Sequence, residues 1–212
     1  MHIISTILIY CSESYRERIY RLMEQKGNYK AGAISGDCSF AGIKPIMVDL
    51  PYPPIQVRCK NQSYAALLGV DYCGAVSELS AVAQYINNEN RLFCEKCPMA
   101  RTLLGIAMAE MMHLQKLGEL IFLLGGDVCF AARQRDGRER LWTPEYLDTP
   151  DNAKSMLLAD IEAEKGAISQ YMAHIKRIDD DCVNAVLRRI IMDEEYHIMI
   201  LQALLEEQRG GQ

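Results

Sequence analysis

Two Glu-x-x-His motifs stand out in this chain, Glu110-Met-Met-His113 and Glu194-Glu-Tyr-His197. On an α-helix, a glutamate and a histidine three residues apart lie on one side and can bind one ion together. Two further glutamates, Glu78 and Glu164, interrupt apolar stripes in the same manner. Four ionised glutamates in an apolar interior repel one another, and each costs several kcal/mol to desolvate. Two divalent cations offset four carboxylates while both imidazoles stay neutral, so a dinuclear site makes such an interior tolerable. Oxygen-rich ligation with two nitrogens and no thiolate suits iron or manganese better than zinc or copper(I). The candidate ligands are Glu78, Glu110, His113, Glu164, Glu194 and His197. Each Glu-x-x-His is expected to hold one ion, with Glu78 and Glu164 bridging or completing the shells. Glu195 points about 100° away from Glu194 and is expected beyond the ligands or at the surface.

Helices must bring these residues together. In LLGIAMAEMMHLQKLGELIFLL the stripe runs Leu103, Ala107, Glu110, Leu114, Leu117, Ile121 and Leu124, and it ends at Gly125 and Gly126, where a positive φ can close the last turn. This is helix B. Upstream, Ala75, Glu78, Val82 and Tyr85 define helix A, with a start as early as Tyr72. Helix C carries Leu157, Ile161, Glu164, Ile168, Tyr171 and Ile175, with Thr149 as its expected N-cap and Pro150 in the first turn. Helix D follows the acidic turn Asp179 to Asp181 and lays Val183, Val186, Leu187, Ile190, Glu194, His197, Ile198, Leu201 and Leu205 on one face.

The halves repeat. ELSAVAQY (78–85) aligns with EKGAISQY (164–171), and the two Glu-x-x-His motifs occupy matching places in helices B and D. A lone Glu-x-x-His is common on solvated faces; two in a duplicated helix pair, each facing a further glutamate, are not. Tyr85 and Tyr171, seven residues after the A and C glutamates, lie two turns on along the same side, either as core aromatics or as hydrogen-bonding supports of the ligands. Residues 127–149, long for a turn, suit one crossover along a bundle.

A chain of 212 residues, half of them hydrophobic, can bury one substantial core. Residues 1–60 carry Gly27, Gly32, Gly36, Gly42 and the proline-rich DLPYPPIQV, so an irregular arm is expected there, with a short helix at 12–25 and no chemistry. Residues 61–212 form the bundle. A net charge of -5 leaves no basic stripe for nucleic acid, and neither a membrane anchor nor a secretion signal is read. Eight scattered cysteines suit reduced thiols in a cytoplasm, although disulfides stay open, and CEKC (94–97) is half of a zinc or rubredoxin-type site. His2 and His174 are expected at the surface.

SELSAVAQY, EMMHLQKLGELIFLLGG and AEKGAISQY resemble the ferritin-like superfamily. They are most similar to manganese catalases and their shorter spore-coat relatives, with rubrerythrins and bacterioferritins as cousins. The resemblance covers about residues 60–207. It implies an all-α, ferritin-like four-helix bundle with one long crossover between B and C, a pair of Mn or Fe ions on the six residues named above, and a homo-oligomer. It also implies an oxidoreductase acting on hydrogen peroxide or dioxygen. Catalase-like disproportionation leads, with Glu110 and Glu194 as catalytic residues and Glu194 free to loosen and move protons. A rubrerythrin-type peroxidase with an external electron donor, or iron oxidation and storage, are the alternatives. The full Glu-x-x-His on the last helix is a departure toward rubrerythrins and bacterioferritins, and it leaves Mn against Fe open.

Overall fold

A computed structural model of the chain describes residues 42–93, 95–133 and 137–210. The short helix expected at 12–25, His2 and Cys94 lie outside them. Residues 38–212 form one compact unit. Its helices are α1 (Gln62–Cys73), α2 (Glu78–Leu92), α3 (Cys97–Leu123), α4 (Ala153–Ile175) and α5 (Asp181–Gly210). The last four are helices A to D. α2 packs chiefly on α3 and α4 on α5, giving two helix hairpins joined by a crossover. The crossover holds a small antiparallel ribbon, β1 (Ala131–Arg133) with β2 (Glu139–Leu141), and a 3-10 turn, Pro144–Tyr146.

Helix A starts later than its apolar periodicity suggests. The Gly74 N–H bonds the Val70 carbonyl at 2.9 Å and ends α1, and Ser77 caps α2 by accepting from the Ser80 N–H. A Cβ at residue 74 would sit 2.6 Å from the Val70 oxygen, so only glycine makes this joint without a shift. Ala75 is therefore not helical, and Glu78 opens α2, where its carboxylate faces the positive end of the helix dipole. Residues 62–92 match a membrane span in length and hydropathy, but the run is two helices that bury Asp71 and Glu78.

Helix C begins at Ala153 rather than near Thr149. The Asn152 side chain takes the N-cap role by accepting from the Ser155 N–H, which leaves Thr149 and Pro150 in the crossover. Asp180 caps helix D through the N–H groups of Cys182 and Val183. Helix B ends as its glycines suggest. Gly125 has φ +84°, its N–H bonds Phe122, and the Gly126 N–H bonds Ile121, which together satisfy the last carbonyls.

The core lies in two apolar slabs. One gathers Leu92, Met99, Leu103, Ile106, Leu157, Ile161 and Leu201; the other gathers Leu68, Leu117, Leu120, Leu124, Val186, Leu187 and Ile190. On α3, α4 and α5 the candidate ligands fall between residues of the two slabs, and Glu78 enters the same layer from the start of α2. The site is thus a polar layer sealed above and below by hydrocarbon, where water is scarce and charges act strongly.

Candidate metal centre

Glu78, Glu110, His113, Glu164, Glu194 and His197 are all buried, and they converge. Glu78, Glu110, His113 and Glu194 form one group of donors; Glu110, Glu164, Glu194 and His197 form another, with the donor atoms of each group within 4.8 Å of one another. The two shared residues are the motif glutamates. Glu110 turns Oε2 to the His113 Nδ1 at 3.0 Å and Oε1 to the His197 Nδ1 at 2.9 Å. Glu194 turns Oε1 to His113 at 3.3 Å and Oε2 to His197 at 3.1 Å. Each carboxylate therefore spans both groups, one oxygen to each side. Glu78 lies 3.4 Å from the His113 Nδ1 and Glu164 3.4 Å from the His197 Nδ1, so each belongs to one group only. The imidazole rings lie 6.1 Å apart.

Both histidines aim Nδ1 inward, and what holds Nε2 fixes the tautomer. The His197 Nε2 lies 2.8 Å from the Ile46 carbonyl, which can only accept, so Nε2 carries the hydrogen and Nδ1 presents a lone pair when the ring is neutral. The His113 Nε2 lies 3.1 Å from the Asp193 carboxylate, with the same consequence. Asp193 is fully buried and also accepts from the Val48 N–H at 2.7 Å and the Tyr52 hydroxyl at 2.6 Å, and it pairs with Arg189 at 2.6 Å. Arg189 donates in addition to the Val48 and Leu50 carbonyls. Burial would raise the Asp193 carboxyl, but His113, Arg189 and Tyr52 together hold it below its ordinary value. Burial pushes the Tyr52 hydroxyl strongly up, so it remains a donor.

The described part of the arm, expected to do no chemistry, packs directly behind the candidate ligands. Residues 46–52 lie on α3 and α5 and supply a carbonyl, an N–H and a phenol behind the two histidines. Gly105 makes room for them: the Ile46 N–H bonds the Gly105 carbonyl at 2.9 Å, and a Cβ at residue 105 would stand 2.8 Å from the Ile46 side chain. Asp193 was missed in the sequence although it follows Ile190 by three residues and precedes His197 by four. The i, i+4 pair with Arg189 was the available signal. The carbonyl of Ile46 has none, because a backbone acceptor carries no residue identity.

The tyrosines repeat between the two helix hairpins. The Tyr85 hydroxyl of α2 donates to Glu164 on α4, and the Tyr171 hydroxyl of α4 donates to Glu78 on α2. Burial and the facing carboxylates push both phenols up. A second buried layer lies beyond them. Asn88 donates to both Asp160 oxygens, at 2.9 and 3.1 Å, and burial pushes Asp160 up to about 7. His174, expected at the surface, is buried and lies 2.7 Å from Asp71, which also accepts from Gln170. Its position three residues after Tyr171 carries it inward. Glu195 is half-buried. Cys97 opens α3 and is disulfide-bonded, with its partner outside the described residues.

The donor set could hold metal. The Glu78 Oε2, the Glu110 Oε1, both Glu194 oxygens and the His197 Nδ1 are buried without a hydrogen-bond partner, although they face one another. Without metal, protons must take that place. Burial, then the charges of Glu110 and Glu194, push Glu78 well up and Glu164 up to about 8. Burial alone would lower the imidazoles, but Glu194 and Glu110 outweigh it at His113, and Glu110 foremost at His197, so both are held well above the ordinary range. Burial would raise Glu110, but the two imidazoliums hold it well below its ordinary value.

A long-helix bundle with one crossover and two interlocked carboxylate–histidine groups at its centre is the arrangement of dimetal carboxylate proteins. The chain matches the ferritin-like domain family over residues 98–210, more than half its length, and it belongs to that family. Among solved structures it is similar to KatB, a manganese catalase from Anabaena PCC7120, with a TM-score of 0.68 and 25% identity over 76% of this chain and 78% of that one. It also shares its fold with the Rhodobacter capsulatus bacterioferritin (TM-score 0.57, 19% identity, 70% of this chain and 86% of that one). The same holds for the Mycobacterium tuberculosis bacterioferritin BfrA (TM-score 0.56, 21% identity, 72% and 89%). No curated protein matches the chain.

Proposed function

We propose that this protein is a cytoplasmic, homo-oligomeric dinuclear-metal oxidoreductase that disproportionates hydrogen peroxide to water and dioxygen. The observation that carries the metal site is the pair of interlocked donor groups sharing Glu110 and Glu194, with five buried donor atoms left without partners. The likeness to a manganese catalase supports the choice of peroxide as substrate. His113 and Glu78 would hold metal in one donor group and His197 and Glu164 in the other, with Glu110 and Glu194 contributing to both groups. A bound pair of redox-active ions supplies a two-electron exchange with peroxide that a second peroxide reverses, so no outside reductant is consumed.

The chain's own residues orient the ligands and handle protons. Asp193 and the Ile46 carbonyl keep each imidazole with its lone pair inward. Tyr85 and Tyr171 hold the Glu164 and Glu78 carboxylates from the opposite helix. Glu110 and Glu194 would be the catalytic carboxylates: each turns one oxygen to each histidine and could carry a proton between peroxide oxygens. The two apolar slabs keep bulk water from the layer.

The test is elemental analysis of protein purified without chelators, followed by oxygen-electrode measurement on adding peroxide. About two Mn or Fe per chain with oxygen evolved in the absence of reductant supports the proposal. Bound metal with turnover only on adding a reductant refutes disproportionation in favour of a donor-dependent peroxidase. The full Glu-x-x-His on the last helix favours a second reading, iron oxidation and storage, and a hollow particle of roughly half a megadalton by light scattering would establish it.

A further inference from the structure

Two thiols outside the centre meet where α1 runs against the crossover. Cys73, the last residue of α1, is buried, and its Sγ lies 3.5 Å from the Gly69 carbonyl and 3.6 Å from the carbonyl of Cys129. Cys129 is exposed, and both thiols are free. The adjacent pair fixes the register, because the Tyr72 ring stacks on Phe130 with centroids 5.7 Å apart and planes 21° from parallel. Residues 72 and 73 thus run alongside 130 and 129. Gly118 beneath them leaves the space, its Cβ position lying 3.4 Å from Tyr72 and 3.6 Å from Val128.

We propose that Cys73 and Cys129 form a peroxide-oxidised dithiol site, with Cys129 as the attacking sulfur and Cys73 as the resolving one. In the first step the Cys129 thiolate attacks one oxygen of hydrogen peroxide and the O–O bond breaks. The departing hydroxide takes up a proton to become water, and Cys129 becomes a sulfenic acid. In the second step the Cys73 sulfur attacks the sulfenic sulfur, hydroxide leaves and is protonated by the Cys73 proton, and the S–S bond forms. Two thiols are oxidised and one peroxide is reduced to two waters, with no other reactant.

Exposure divides the roles. Cys129 is open to a small oxidant in solvent. Cys73 is not, and burial, with the neighbouring Cys129 thiol adding to it, pushes the Cys73 thiol up to about 11, which disfavours it for the first attack. Proximity compensates in the second step, where the partner is already in place. The bond would tie the crossover to the joint ahead of Glu78. The Gly74 carbonyl there accepts from the Ser77 and Ser80 hydroxyls, and Trp142 of the crossover already donates to Ser80 at 3.0 Å.

The full-length protein is treated with increasing hydrogen peroxide, quenched with N-ethylmaleimide, digested without reductant and mapped by mass spectrometry. A Cys73–Cys129 linked peptide is expected, reversible by dithiothreitol. With Cys73→Ser, dimedone should trap a sulfenic acid on Cys129 several-fold above the parent, and with Cys129→Ser the Cys73 thiol should stay free at the same dose. Deuterium exchange at residues 74–80 should slow in the linked protein. The site is overturned if parent Cys129 proceeds to sulfinic acid with no linked peptide, or if Cys73 is lost equally fast in Cys129→Ser. Unchanged exchange in fully linked protein overturns the tie to the joint.

Discussion

Loading metal into the chelator-treated protein should expel protons. In the metal-free chain burial and like charge push Glu78 well up and Glu164 up to about 8, and the facing carboxylates overcome burial to hold His113 and His197 well above the ordinary imidazole value. Glu164, at about 8, is on the protonated side of its titration near pH 7, and the other three are shifted in the same direction, toward their protonated forms. All four contribute donor atoms that must be free of protons to ligate. Two divalent ions carry the charge of four protons, so filling both positions should release up to about four protons per chain. Titration calorimetry with Mn(II) in two buffers of different ionisation enthalpy at one pH measures that number. Glu164→Gln should lower it by about one. Release of less than about one proton per filled pair, or the same release in parent and variant, would refute the account in which protons and cations compete for this layer.

The same groups set a pH trend for the metal-free protein. The Glu164 carboxyl is raised above its ordinary 4.5 to about 8, so its stabilising contribution is complete below the unfolded value and is lost as pH rises through the folded one. Melting temperature without metal should therefore fall between about pH 5 and pH 8, and a rise measured by scanning calorimetry would contradict the direction. Asp193→Ala strands Arg189 and removes an acceptor from three other donors; at about 3–5 kcal/mol for breaking a buried pair it should lower the melting temperature by roughly 6–20 °C, against which a shift under about 2 °C would count. Glu110→Ala should lose both ions and His197→Ala chiefly one, as measured by metal content after desalting; equal metal in parent and variants would sink the shared-carboxylate geometry. Gly105→Ala gains about 1 kcal/mol of helix propensity, yet it should destabilise the protein and weaken metal binding because its Cβ displaces Ile46; a stabilised variant with parental affinity would show that the arm does not matter.

The four helices, the repeat and the six convergent residues were legible because an amphipathic helix writes its inward face at a period the sequence displays. Glu110 and Glu194 could be placed on inward stripes, but not as the shared pair, since periodicity gives the side of a helix and not the depth at which two helices meet. The start of helix A was misplaced because Ala75 continues an apolar pattern, whereas the Gly74 turn and the Ser77 cap are local hydrogen-bond choices that the pattern does not weigh. Asn152 displaced Thr149 for a similar reason. His174 reads as a surface residue in the sequence because its partner, Asp71, lies on a helix far away in sequence.

The acceptor behind His197 is a peptide carbonyl, and any amino acid at position 46 would offer the same oxygen. The placing of this oxygen is therefore recorded in chain length rather than in side-chain identity. Substitutions between residues 43 and 47 should be tolerated freely, apart from the Ile46 fit over Gly105. Deleting or inserting a single residue would slide the oxygen by about 3.3 Å and turn the next carbonyl the other way. Homologues of this protein should thus drift in spelling through this stretch while keeping its count.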